Sequence, residues 1–372
     1  MVGAAMLALL ACDDDSTQPA LSGPADAAVT VDLAITPDAL ELDATPIDAE
    51  LDAEVDAAIP DAEIDAAIPD LGPQPRTPPP LPTYSGAECP PLVSGPTRDT
   101  SLNAGFMTGG VGRDFRLLVP SDYDPNKQYP LVFAWHWLAG TSAQLIREGE
   151  IESAIDQWQF IVVAFDRRVN EEGGNSYAFV WPFVEAVGGF GAEGTDAAEL
   201  EYTFFDDTLA CVTEQFNVDP TRIYGLGVSA GALWLTHLLN TPRVDHFAAI
   251  EIVSGGLANL NDAWRMDFEP RAHRFPTFVL WGGESDRLGI NFHDASQRLR
   301  DALLDFGHFV TTCTHDAGHD LPPITAPEGQ TRFRMLWRFF TDHPYGLDPG
   351  DSPYLRDGLP EEFEAWCEIP AP

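Results

Sequence analysis

The stretch Arg222-Ile223-Tyr224-Gly225-Leu226-Gly227-Val228-Ser229-Ala230-Gly231-Ala232-Leu233-Trp234-Leu235 decides how the rest of the chain is read. Its first half is the apolar run of a buried strand, and residues 230–239 carry helical spacing. Between them lies Gly-x-Ser-x-Gly. Small residues on both sides of a serine permit a sharp strand-to-helix turn, in which the serine is held at strained backbone angles. The helix that follows aims its positive end at the serine, an arrangement that favours an oxyanion. Ser229 is therefore the candidate nucleophile.

A serine is a weak nucleophile without a base, and the base needs an acid to orient it. With this turn, the chain order is Ser, then Asp or Glu, then His. After an apolar strand at 277–281 comes Gly282-Gly283-Glu284-Ser285-Asp286, which puts Asp286 on a loop at a strand's carboxyl end; Glu284 is the competing acid. After the last strand comes Thr314-His315-Asp316-Ala317-Gly318-His319, where His319 is the candidate base and His315 its rival. Read as an i, i+4 pair, the two histidines would need a helix that Gly318 disfavours, so no metal and no organic cofactor is expected. The oxyanion hole takes one N–H from Ala230. The second comes from the loop His136-Trp137-Leu138-Ala139-Gly140, with Trp137 or Leu138 as donor.

Further out, residues 113–120, 131–135, 160–165, 222–227, 247–253, 277–281 and 308–313 read as strands. Residues 141–156, 204–216, 230–239, 295–306 and 333–340 read as helices. Strands alternating with helices imply an α/β fold, a mostly parallel sheet with helices on both faces and its site at the carboxyl ends of the strands. A loop between the 160–165 strand and the 204–216 helix holds Tyr177, Phe179, Trp181 and Phe183; Trp181 is a candidate wall for a sugar ring or an aromatic acyl group.

The 372 residues carry 59 Asp+Glu against 20 Lys+Arg, a formal charge of −39. Such a surface repels phosphate backbones and anionic lipid headgroups, which excludes nucleic acid as a partner. The charge is uneven: residues 12–86 hold 13 Asp, 4 Glu and one base, Arg76, with Asp-Ala-Ala-Ile-Pro repeated at 56–60 and 65–69. A segment so poor in large apolar residues cannot bury enough surface to fold, so 12–86 reads as a disordered tether ahead of one domain at 87–372. Residues 1–11 read as a signal peptide. Leu9-Leu10-Ala11-Cys12 resembles a bacterial lipobox, making Cys12 the candidate lipidation site and an exported, lipid-anchored or secreted protein the expectation, although no Lys or Arg precedes the apolar run. Cys89, Cys211, Cys313 and Cys367 remain, an even number suited to disulfides, with the pairing open.

From about Arg113 to His319 the chain resembles the poly(3-hydroxybutyrate) depolymerase and feruloyl esterase family of α/β-hydrolases. The resemblance rests on Pro130-Leu131-Val132-Phe133-Ala134-Trp135-His136, Phe205-Asp206-Asp207, Phe216-Asn217-Val218-Asp219-Pro220-Thr221-Arg222-Ile223-Tyr224 and the serine turn. It implies the α/β-hydrolase fold, a triad of Ser229, Asp286 and His319, and a polymeric ester substrate: a feruloyl or acetyl ester of plant polysaccharide, or a polyhydroxyalkanoate-type polyester. One position departs, since the family has His-Gly where this chain has His136-Trp137; the tryptophan there is a candidate substrate contact as well as an oxyanion donor. A serine peptidase of the same fold, or a surface binding module that kept the fold and lost activity, are the competing functions.

Overall fold

Nine strands form the main sheet: β1 (Leu102–Thr108), β2 (Val111–Leu118), β3 (Tyr129–Trp135), β4 (Ile161–Phe165), β5 (Val218–Val228), β6 (Ala249–Val253), β7 (Thr277–Trp281), β8 (Val310–Thr314) and β9 (Cys367–Glu368). The helices around it are α1 (Ser142–Glu148), α2 (Ile151–Trp158), α3 (Asp196–Gln215), α4 (Ala230–Leu238), α5 (Phe292–Asp305) and α6 (Arg334–Asp342). The computed structural model describes residues 71–167, 196–261 and 264–371. The expected signal peptide, Cys12, the tether up to residue 70 and the aromatic loop with Trp181 lie outside the described residues.

The spatial order is β1-β2-β4-β3-β5-β6-β7-β8-β9. Neighbours from β4 through β8 run parallel, while β1 with β2, β2 with β4, and β8 with β9 run antiparallel. The strands are apolar without interruption because both faces are covered. Leu131, Phe133 and Trp135 of β3 pack into one core with α3, α4 and α5. Val132 and Ala134, from the alternate positions, pack into a second core with α1, α2 and α6. Burying side chains of this kind stabilises the fold by roughly 1.5–3 kcal/mol each. The α/β expectation with helices on both faces is met.

Three local readings change. The helix expected over 141–156 is two, α1 and α2, because Gly149 ends the first and Glu150 takes a left-handed φ of 51°. That turn lets the Glu150 carboxylate accept from the backbone N–H and the guanidinium of Arg332. Secondly, the segment up to 86 was expected to be tether, yet residues 71–86 lie on the domain. The Gln74 side chain is buried and pairs with both backbone groups of Arg274, Tyr84 donates to the Met107 carbonyl, and Ser85 is held by Asp207 through its N–H and its hydroxyl. Prolines and small polar residues supply no hydrophobic pattern, and these attachments are specific hydrogen bonds that pattern reading does not register. Thirdly, the short strand β9 pairs with β8 beside a disulfide.

The disulfides are Cys89–Cys211 and Cys313–Cys367, spanning 122 and 54 residues. Both fit an oxidising compartment. Among the described residues, no helix is long and apolar enough to cross a membrane.

Candidate active site

Strand β5 runs directly into Ser229, whose φ of 55° and ψ of −115° carry the chain around the turn before α4 starts at Ala230. The neighbouring glycines are required by close approach. A Cβ on Gly231 would lie 2.2 Å from the Trp135 carbonyl oxygen, and one on Gly227 would lie 2.6 Å from Ala232 Cα. The turn is tied to the next strand, where the Ser229 N–H donates to the Val253 carbonyl at 2.8 Å.

Two loops meet above this turn, one after β7 and one after β8. They touch backbone to backbone: the Gly318 N–H donates to the Gly282 carbonyl, and a Cβ on Gly282 would overlap Gly318. The contact brings Asp286 and His319 together from positions 33 residues apart. Ser229 Oγ lies 2.9 Å from His319 Nε2, and His319 Nδ1 lies 2.6 Å from Asp286 Oδ1. Both distances are satisfied when Nδ1–H donates to the carboxylate and Nε2 accepts from the serine hydroxyl. Phe292, at the start of α5, stacks on the His319 ring with centroids 4.3 Å apart.

Asp286 is fully buried. Burial alone would raise its pKa, but hydrogen bonds from His319, the Gly282 N–H and the Ser254 hydroxyl outweigh that and hold it below the usual carboxylate range. The carboxylate thus stays charged and fixed. Its other oxygen, Oδ2, accepts from Gly282 N–H and from Ser254 Oγ, each at 2.8 Å. Sequence reasoning passed over Ser254. Its one sequence signal was Ser-Gly-Gly at the carboxyl end of a buried strand.

The rivals sit apart from this chain of contacts. Glu284 is exposed on the loop. His315 is buried against Trp366, with its Nδ1 accepting from Ala317 N–H, and burial lowers its pKa. Ala230 is the first residue of α4, where a backbone N–H has no carbonyl within the helix to bond. Trp137 follows β3, and its carbonyl accepts from Gly140 N–H at 3.0 Å and sits 2.8 Å from His136 Nδ1. Burial pushes His136 down to about 4, so it stays neutral at physiological pH. The Trp137 ring lines an apolar cavity of about 70 Å³ together with Val228, Val253, Leu280, Leu321 and Trp337. Trp181 lies outside the described residues.

No family model matches the chain. A probable feruloyl esterase C of Aspergillus terreus is 28% identical over 263 residues, covering 63% of this chain and 87% of that protein. Feruloyl esterase C of Emericella nidulans is 28% identical over 262 residues with the same coverage. Among solved structures, native pOPH superposes with a TM-score of 0.53 at 17% identity over 76% of this chain and 97% of its own, which is a likeness of fold. The chain thus has the α/β-hydrolase fold and is similar in sequence to feruloyl esterases.

Proposed function

We propose that Ser229, His319 and Asp286 are the catalytic triad and that the chain cleaves esters through an acyl-enzyme. The observation that carries this is the unbroken hydrogen-bonded line from Ser229 Oγ through both ring nitrogens of His319 to Asp286. Ser229 Oγ attacks the ester carbonyl carbon while its proton passes to His319 Nε2. The tetrahedral oxyanion is held by the N–H groups of Ala230 and of the 137–138 loop. Collapse breaks the bond to the alcohol, which leaves with the proton from His319 and gives acyl-Ser229. A water then attacks the acyl carbon while its proton passes to His319, and collapse releases the acid as His319 returns that proton to Ser229 Oγ. Asp286 keeps the ring oriented and stabilises the imidazolium.

Feruloyl or acetyl esters of plant cell-wall polysaccharide are the proposed substrates, ahead of polyhydroxyalkanoate-type polyester; relatives named feruloyl esterases support that order. Trp181 and Trp137 are proposed as substrate contacts. Export, with acylation at Cys12 as an anchor, is proposed from the lipobox-like sequence and the two disulfides.

Treatment of the full-length chain with a fluorophosphonate probe tests the chemistry. The expected adduct is on Ser229 by mass spectrometry, lost in Ser229→Ala and strongly slowed in His319→Ala. An unlabelled but folded protein would remove the esterase mechanism and favour a binding module.

A further inference from the structure

Strand β6 ends at Val253, and the next residue does something that the triad chemistry does not by itself require. The Val253 carbonyl receives the N–H of Ser229, and the Ser254 hydroxyl donates to Asp286 Oδ2 at 2.8 Å. Two consecutive residues of one strand end therefore reach the nucleophile and the acid. Ser254 is itself fixed from several sides. Its N–H donates to the Leu280 carbonyl of β7 at 2.7 Å, its φ is held at 49°, and the side chain is buried. The glycines that follow leave no slack: a Cβ on Gly255 would lie 2.4 Å from Ala232 Cβ in the nucleophile helix, and one on Gly256 would lie 2.3 Å from the Ala295 carbonyl oxygen of α5. Ser296 of α5 also donates to the Gly255 carbonyl.

We infer that Ser254 is a positioning residue for the reaction, acting through Asp286; this rests on the triad reading above. Left-handed φ is uncommon for a serine and is strained where it occurs. A side chain retained there, with its hydroxyl spent on the buried carboxylate, fits a role in aiming that carboxylate. With Ser254 Oγ and Gly282 N–H both on Oδ2, the carboxylate cannot rotate about its own axis, and Oδ1 stays aimed at His319 Nδ1. Losing one donor frees that rotation and leaves a buried anionic oxygen with less solvation, so the imidazolium formed during attack is less well supported.

The test is turnover of p-nitrophenyl acetate by the full-length chain carrying Ser254→Ala or Ser254→Gly, each in the native and the Asp286→Ala background. The glycine variant matters because it accepts the left-handed φ without strain. It separates the hydroxyl's role from the backbone's. Both single variants are expected to lose roughly ten- to a hundredfold in kcat, with KM nearly unchanged and the thermal midpoint only modestly lowered by the poorer solvation of the buried carboxylate. In the Asp286→Ala background the same changes should cost nothing more, since residues acting as one unit are not additive. Full activity in Ser254→Gly, or an equal loss in both backgrounds, would overturn the role. An Asp286→Ala variant that keeps native kcat would overturn the triad reading itself, and this role with it.

Discussion

At the residue scale, Trp137 is the proposed substrate contact whose side chain the structure describes. It occupies the place where the sequence resemblance calls for glycine, and its ring forms part of the wall of the small apolar cavity. A cavity of about 70 Å³ is under half of the ~150 Å³ that accommodates a benzene ring in a protein core. If the ring limits the acyl group, Trp137→Gly will raise kcat/KM for bulky aromatic acyl esters relative to acetyl esters by about tenfold or more, the order expected for a few methylene-sized groups of pocket volume. Competition assays with p-nitrophenyl acetate and methyl ferulate measure the ratio. An unchanged ratio would remove Trp137 from specificity. The positions of Ser229, Asp286 and His319 were legible because each follows a recognisable strand in the required chain order. Ser254 was not, because its role depends on where β6 ends relative to β7, and no local pattern encodes that.

At the scale of elements, the parallel strands were legible from their uninterrupted apolar runs, but one of them holds a residue that the pattern argues against. Glu251 lies in the middle of β6, fully buried, opposite Leu226 in β5 and Phe278 in β7, and neither carboxylate oxygen has a hydrogen-bond partner among the described residues. Burial raises its pKa well above the ordinary 4.5. The folded protein therefore keeps this proton at pH values where the unfolded chain has released it, and stability falls as pH rises above about 4.5 until the buried group ionises. Glu251→Leu should raise the thermal midpoint, and its advantage over the native chain should grow between pH 5 and pH 8, with a limiting slope of about 1.4 kcal/mol per pH unit. Thermal melts at matched ionic strength check this; an advantage that does not change with pH would mean that the carboxyl is already satisfied. The broken helix α1/α2 was illegible for a related reason. Glu150 leaves the helix toward Arg332, a partner 182 residues away.

At the scale of the whole molecule, the domain begins earlier than its composition announces, because residues 71–86 bind through hydrogen bonds and the Cys89–Cys211 link then ties this arm to α3. Closing a loop of 122 residues removes denatured-state entropy worth about 4–5 kcal/mol in the chain-entropy account. Cys89→Ser with Cys211→Ser should therefore lower the midpoint of guanidinium unfolding markedly while leaving turnover of the surviving folded fraction intact, since the link joins the arm to α3 and not to the loops that carry Asp286 and His319. A matched fall in kcat per folded molecule would show that the arm also serves the site. The bonds from Val253 and Ser254 have a different bearing, on how such a protein can diversify. Ser229 and Asp286 hang from one strand end at a fixed spacing, so an insertion anywhere in 253–256 would separate them. In recombination among relatives, the end of β6 must therefore be inherited whole.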